Sequence, residues 1–166
     1  MKITVIPDNE DDNFSLYAYQ IGTTNYSVVP DLSSCVSCEA DHKWDYPKYG
    51  KTQDHTRSVE LNATTNSYNI VIGVVGAEEL SSGGFTLKIE LETRIQNTDE
   101  QEALQIYTAA SEKGKTISYN GDLSEGVVLT DLSWANSGGM ACFPGTQNNK
   151  FTGKHLFYIT ELRFNR

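Results

Sequence analysis

The stretch GFTLKIEL, residues 84–91, alternates without a break. Phe85, Leu87, Ile89 and Leu91 fall on one side of an extended chain; Thr86, Lys88 and Glu90 fall on the other. Successive side chains of a strand point to opposite faces, so a period of two specifies a strand with one dry side and one wet side. Eight further runs are short and rich in β-branched and aromatic residues: KITVI (2–6), FSLYAYQI (14–21), YSVV (26–29), RSVEL (57–61), YNIVIGVVG (68–76), KTISY (115–119), GVVLTDL (126–132) and KHLFYITELRF (154–164). Turn-forming stretches such as PDNEDDN, GTTN, NATTNS, SSGG, YNGD and NSGG separate them. One segment, TDEQEALQIYTAASEK (98–113), has helical character, with Thr98 and Gln101 at capping-box spacing. Its apolar face is thin, which predicts one or two turns. About nine such strands, with one short helix at most, predict an all-β fold: an antiparallel β-sandwich of the jelly-roll or immunoglobulin-like kind.

At 166 residues the chain is long enough for one domain with a real core, and a single module over 1–166 is expected. The formal charge of -9 and the pI near 4.7 argue against nucleic acid and anionic membrane surfaces as partners, since both select basic patches. No apolar run has the length of a membrane span, so membrane insertion is not expected. Met1-Lys2 leads directly into the first strand-like run, with no signal peptide, and a mature fragment starting from its own Met fits better than a complete gene product.

The order NFSLYAYQIGTTNYSVV, SCVSCEADH, RSVELNATTNSYNIVIGVVG and GGFTLKIEL resembles the bacterial pre-peptidase C-terminal (PPC) domain family over residues 14–91. The resemblance implies a β-sandwich module appended to secreted proteases and other exported or surface proteins. NTDEQEALQI (97–106), GKTISYNGDLSEG (114–126), CFPGTQ (142–147) and GKHLFYITEL (153–162) are similar to the opening half of such a module. Residues 2–92 then resemble its C-terminal part and 97–166 its N-terminal part, in circularly permuted order. Permutation predicts that HLFYITEL pairs antiparallel with KITVI; exchange of halves between neighbouring chains, or contact with tandem modules, is the alternative arrangement.

The stretch CVSCEADHKWD (35–45) concentrates the candidate sites. Exported β-modules oxidise neighbouring cysteines, and the resemblance places cysteines both here and in the CFPGT turn. A Cys35–Cys38 disulfide pinning a turn is the first expectation, with pairing of one of them to Cys142 as the alternative. Zinc on Cys35, Cys38, His42 and His55 is a further reading, weakened by the missing second half of a closed ligand pattern. Glu39, Asp41 and Asp45 crowd three carboxylates into seven residues, a set of hard oxygens that suits calcium as a cofactor. Asp8, Glu10, Asp11 and Asp12 form a weaker acidic set without the glycine or closing glutamate of an EF-hand loop; a solvated turn is the competing reading for both clusters. Trp44, Tyr46 and Tyr49 in a Pro- and Gly-bearing loop offer a glycan-stacking platform, or else fold back to plug one end of the sandwich.

Catalysis finds little support. His42, His55 and His155 are dispersed, and no nucleophile elbow, zinc-protease helix or phosphate loop is present. QDHTRS, with Asp54, His55 and Ser58, reads as an exposed loop entering a strand. The expectation is a non-catalytic extracellular accessory or adhesion-type module, structural or binding in role, meeting glycan or protein at a cell surface. A carbohydrate-binding module using the 42–51 loop is the alternative.

Overall fold

Ten strands and one 3-10 turn form among residues 1–22, 35–42, 55–61, 68–76, 80–91, 104–105, 115–129 and 150–162, the residues that the computed structural model describes. In chain order they are β1 (Lys2–Pro7), β2 (Phe14–Ile21), β3 (Ser37–Asp41), β4 (Arg57–Glu60), β5 (Tyr68–Gly76), β6 (Gly84–Leu91), β7 (Leu104–Gln105), β8 (Lys115–Asp122), β9 (Val127–Leu129) and β10 (Gly153–Leu162), with the 3-10 turn at Leu123–Glu125. One sheet has the order β4-β1-β6-β8; the other runs β3-β2-β5-β10-β7, with β9 also on β10. Every described pairing is antiparallel except that of β7 with β10. The fold is an antiparallel β-sandwich.

The two sheets differ in how many faces they bury. In the four-stranded sheet only the inner face is dry. Ile3, Val5, Val59, Phe85, Leu87 and Ile89 point into the sandwich, while Lys2, Ser58 and Glu60 lie outside. In the six-stranded sheet the central strands β2, β5 and β10 are buried on both. Its inner face (Phe14, Leu16, Ala18, Ile70, Ile72, Val74, Leu156, Tyr158) closes the main core. Its outer face carries a second core of Tyr17, Tyr19, Ile21, Val71, Val75, Phe157 and Ile159, joined by Phe151. A strand dry on both faces reads as a continuous apolar run, which is the pattern of YNIVIGVVG in β5. Each large apolar side chain so buried contributes about 1.5–3 kcal/mol.

This asymmetry overturns the strand pairing that permutation predicts. HLFYITEL lies in β10 beside β5, whereas KITVI, as β1, sits between β4 and β6 in the other sheet. The reason is burial. β10 has apolar residues on both faces and needs a doubly covered position, while β1 keeps Lys2 exposed and fits the one-sided sheet. Residues from both stretches nevertheless meet in each sheet: β8 extends β6, and β10 extends β5.

Three local expectations are also corrected. Residues 37–41, expected as part of a pinned turn, are an edge strand on β2, with Cys38 and Ala40 packed on the outer core. SCEAD holds no β-branched or aromatic residue, so the pairing partner decides its conformation. Leu104–Gln105, inside the expected helix of 98–113, are strand paired with Tyr158 and Ile159 of β10; the other residues of that segment lie outside those described. His55, expected in an exposed loop, is buried.

The open side of the sandwich between β3 and β4 is closed by polar bonds. Asp41 Oδ2 accepts the Ser58 amide across the two sheets at 2.8 Å. Arg57, with no exposed surface, donates from Nε to the Phe14 carbonyl at 2.8 Å and from Nη2 to Asn13 Oδ1 at 2.6 Å. Those donors anchor the start of β2 to β4.

Candidate functional site: a buried polar rung on the outer face

Alternation in FSLYAYQI puts Ser15, Tyr17 and Tyr19 on one face of β2, and pairing decides what stands beside them. The register aligns Ser15 with Val75 and Val75 with His155; the next rung on that face is Tyr17, Gly73 and Phe157. Gly73 has no side chain, and the Tyr17 ring occupies the space where a Cβ would stand. Laid over Gly73, the ring carries its hydroxyl from β2 to β10, where Tyr17 Oη meets His155 Nδ1 at 3.0 Å.

His155 is 1% exposed and stacks on Phe157 at 5.8 Å. Burial pulls its pKa down to about 4, against an opposing contribution from the Phe151 backbone, so the ring is neutral at pH 7. Burial and the neighbouring Tyr19 raise the Tyr17 hydroxyl well above the ordinary range, so it stays protonated. Phe151 covers the rung, 6.2 Å from Tyr17 and 5.2 Å edge-on from His42. The His42 pKa is lowered by burial and by the cations Lys150 and Arg57, with Asp41 opposing. Among the described residues Ser15 Oγ, His42 Nδ1 and His155 Nε2 have no hydrogen-bond partner. A neutral imidazole and a protonated phenol sealed from solvent can hold structure and sense protons; they cannot reach a macromolecular substrate as they stand.

The residues expected to bind ligands are placed otherwise. Glu39 is exposed on β3, and the Asp41 carboxylate is engaged with Ser58. Asp45, Trp44, Tyr46 and Tyr49 lie outside the described residues. Asp8, Glu10 and Asp12 belong to a turn whose polar atoms close on themselves: Asn9 Oδ1 accepts the Asp11 amide at 3.2 Å, and the Asp12 amide bonds the Asn9 carbonyl at 3.0 Å. Burial, with Asp11 and Asp8 adding to it, raises the Asp12 carboxyl, and Asn9 and His55 oppose. Among the described residues no three His, Cys, Asp or Glu side chains are grouped to hold a metal ion.

The Cys35–Cys38 disulfide is not formed. Cys35 carries a thiol, which burial makes harder to ionise, and Cys38 is disulfide-bonded. Strand geometry explains this. Ser37 and Cys38 are paired with Gln20 and Tyr19 of β2, which holds Cys38 in a strand rather than in a turn closed on Cys35. Oxidation of Cys38 also removes a thiolate that the zinc reading requires. The one other cysteine of the sequence, Cys142, lies outside the described residues. A non-reducing digest is expected to yield Cys38 linked to the Cys142 peptide, with Cys35 alkylated before any reduction. One titratable thiol would follow from either pairing, so the linked peptide is what decides.

Sequence reasoning missed the Ser15–Tyr17–His155 arrangement. Its signals were the polar Ser15 inside an apolar run and the glycine at 73 in the middle of another. Comparison with protein-family models, with curated proteins and with solved structures finds no match to this chain.

Proposed function

We propose that this chain is a non-catalytic extracellular β-sandwich module of a bacterial exported protein, PPC-like in kind, with a structural or binding role. The observation that carries the reading is the disulfide at Cys38, because such bonds persist in oxidising compartments and are rare in the cytosol. It holds edge strand β3 at the margin of the second core, where an edge is otherwise open to stray pairing. The net charge of -9 favours solubility outside the cell.

Protein oxidised in vitro or exported to a periplasm is expected to melt higher than the same protein in excess dithiol. A structural disulfide contributes about 2–4 kcal/mol, and each kcal/mol moves Tm by roughly 2–4 °C at this size. Superimposed melting curves would remove the argument for export. The non-catalytic half of the proposal is tested by incubation with casein and with insoluble polysaccharides. Release of peptides or reducing sugar above a heat-denatured control would sink it. Retention on a polysaccharide without turnover, lost in Trp44→Ala, would assign the binding role to a glycan.

A further inference from the structure

The geometry points to an internal water-binding site on the outer face of the six-stranded sheet, where Ser15 Oγ, His42 Nδ1 and His155 Nε2 share one buried water. Strand pairing puts the three residues on a single rung. Ser15 aligns with Val75, and Val75 with His155. On the other side Leu16 aligns with Asp41, so His42, the next residue, stands beside Ser15. Cys38 and Ala40 pack on the outer core, and alternation turns His42 the same way, its ring 5.2 Å from that of Phe151. Between the two imidazoles stand the short side chains of Ser15 and Val75. Phe151 covers the rung, 6.2 Å from the Tyr17 ring.

All three polar atoms are closed to solvent and have no hydrogen-bond partner among the described residues. Ser15 has no exposed surface and His155 is 1% exposed, so bulk solvent does not satisfy them. Buried polar groups are seldom left unbonded, and a trapped water is the partner where direct contact is too long. The bonding pattern is complementary. The Phe151 backbone accepts an N–H from the His155 ring, and Nε2 has no partner, so Nδ1 carries the hydrogen. Tyr17 Oη lies 3.0 Å from that same nitrogen. Nε2 therefore keeps a lone pair and needs a donor, which water supplies. Ser15 Oγ donates or accepts, and His42 Nδ1 does either according to its tautomer. Buried waters ordinarily make about three such bonds. Charge selects water over an ion. Burial, Lys150 and Arg57 all disfavour a positive His42, with Asp41 opposing, and Lys150 is itself without exposed surface. A metal cation on the rung would meet the same repulsion, and an anion would face the bare lone pair of Nε2. A neutral molecule that donates and accepts at one oxygen meets neither objection.

Oxygen-17 relaxation dispersion of water tests the site on the intact protein, because it counts long-lived internal waters and is blind to exchanging hydroxyl protons. The amplitude is expected to fall by one molecule in Ser15→Val, which removes one partner, fills the space and suits a strand. In the unmodified protein, proton cross-peaks at the water frequency are expected on the Val75 methyls and on the carbon-bound His155 proton beside Nε2. Both should be lost in Ser15→Val. An equal amplitude in the two proteins overturns the site, as does the absence of water cross-peaks from both groups. Stoichiometric zinc retained through dialysis overturns it too, since a metal would then hold the two imidazoles. Should Ser15→Val fail to fold, a high-resolution crystal structure of the unmodified protein decides. An isolated oxygen within about 3.2 Å of Ser15 Oγ and His155 Nε2 supports the site, and a side-chain atom or no density there refutes it.

Discussion

Replacement of Arg57 by alanine is expected to lower the melting temperature by roughly 6–20 °C, corresponding to about 3–5 kcal/mol at ~2–4 °C per kcal/mol. The guanidinium has no exposed surface, and two of its nitrogens make short bonds to the Phe14 carbonyl and Asn13 Oδ1. Hydrogen bonds to charged groups contribute about 1.5–3 kcal/mol each, and truncation strands both acceptors in a site closed to water. It also leaves a cavity beside Val59 and Leu61, which continue the same side of the strand into the main core. Arg57→Met refills that volume without the donors and separates the two contributions: it is expected to recover the cavity part of the loss and none of the hydrogen-bond part. Arg57→Lys recovers little, because a point ammonium cannot span two acceptors in a fixed fork. Thermal melts of the three variants measure this. If Arg57→Ala melts within about 2 °C of the unmodified protein, Arg57 does not anchor the start of β2.

Gly73→Val is expected to cost about 3 kcal/mol or more, or roughly 6–12 °C in Tm. A Cβ at 73 would stand inside the Tyr17 ring. β5 is paired on one side to β2 and on the other to β10, so its backbone cannot step aside without breaking a ladder. The ring must move instead, and the Tyr17–His155 bond is lost with it. A double-mutant cycle isolates the clash. In a Tyr17→Ala background the valine meets no ring and suits a strand, so its added cost should fall to within about 0.5 kcal/mol of zero. Additive losses in the double variant would show that Gly73 is needed for some reason other than the ring above it.

The sandwich was legible because alternation is a local property. GFTLKIEL and YNIVIGVVG are strands with the ends that their patterns imply, Gly84–Leu91 and Tyr68–Gly76. FYITEL likewise places Phe157 and Tyr158 on opposite faces, the outer and inner cores. SCEAD carries no such pattern and becomes a strand because β2 offers it an edge, and Leu104–Gln105 takes an extended form because β10 does. Side-chain propensity could not reveal either, since the stabilising hydrogen bonds come from a partner far along the chain.

What this sequence determined by itself was the character of its alternating and continuously apolar strands, and with them an antiparallel sandwich; a period of two is written residue by residue and needs no partner to be read. Which strands are neighbours, and therefore which side chains meet, was decided by the tertiary structure. His155 and Tyr17 are separated by 138 positions and come together because β5 lies between their strands with a glycine under the ring. Cys38 faces the second core and is oxidised, while Cys35, three residues earlier, keeps its thiol. The physical reason is the same in both cases. Burial of both faces of the six-stranded sheet is a collective property of strands brought together, and it dictates which polar groups are sealed in with them.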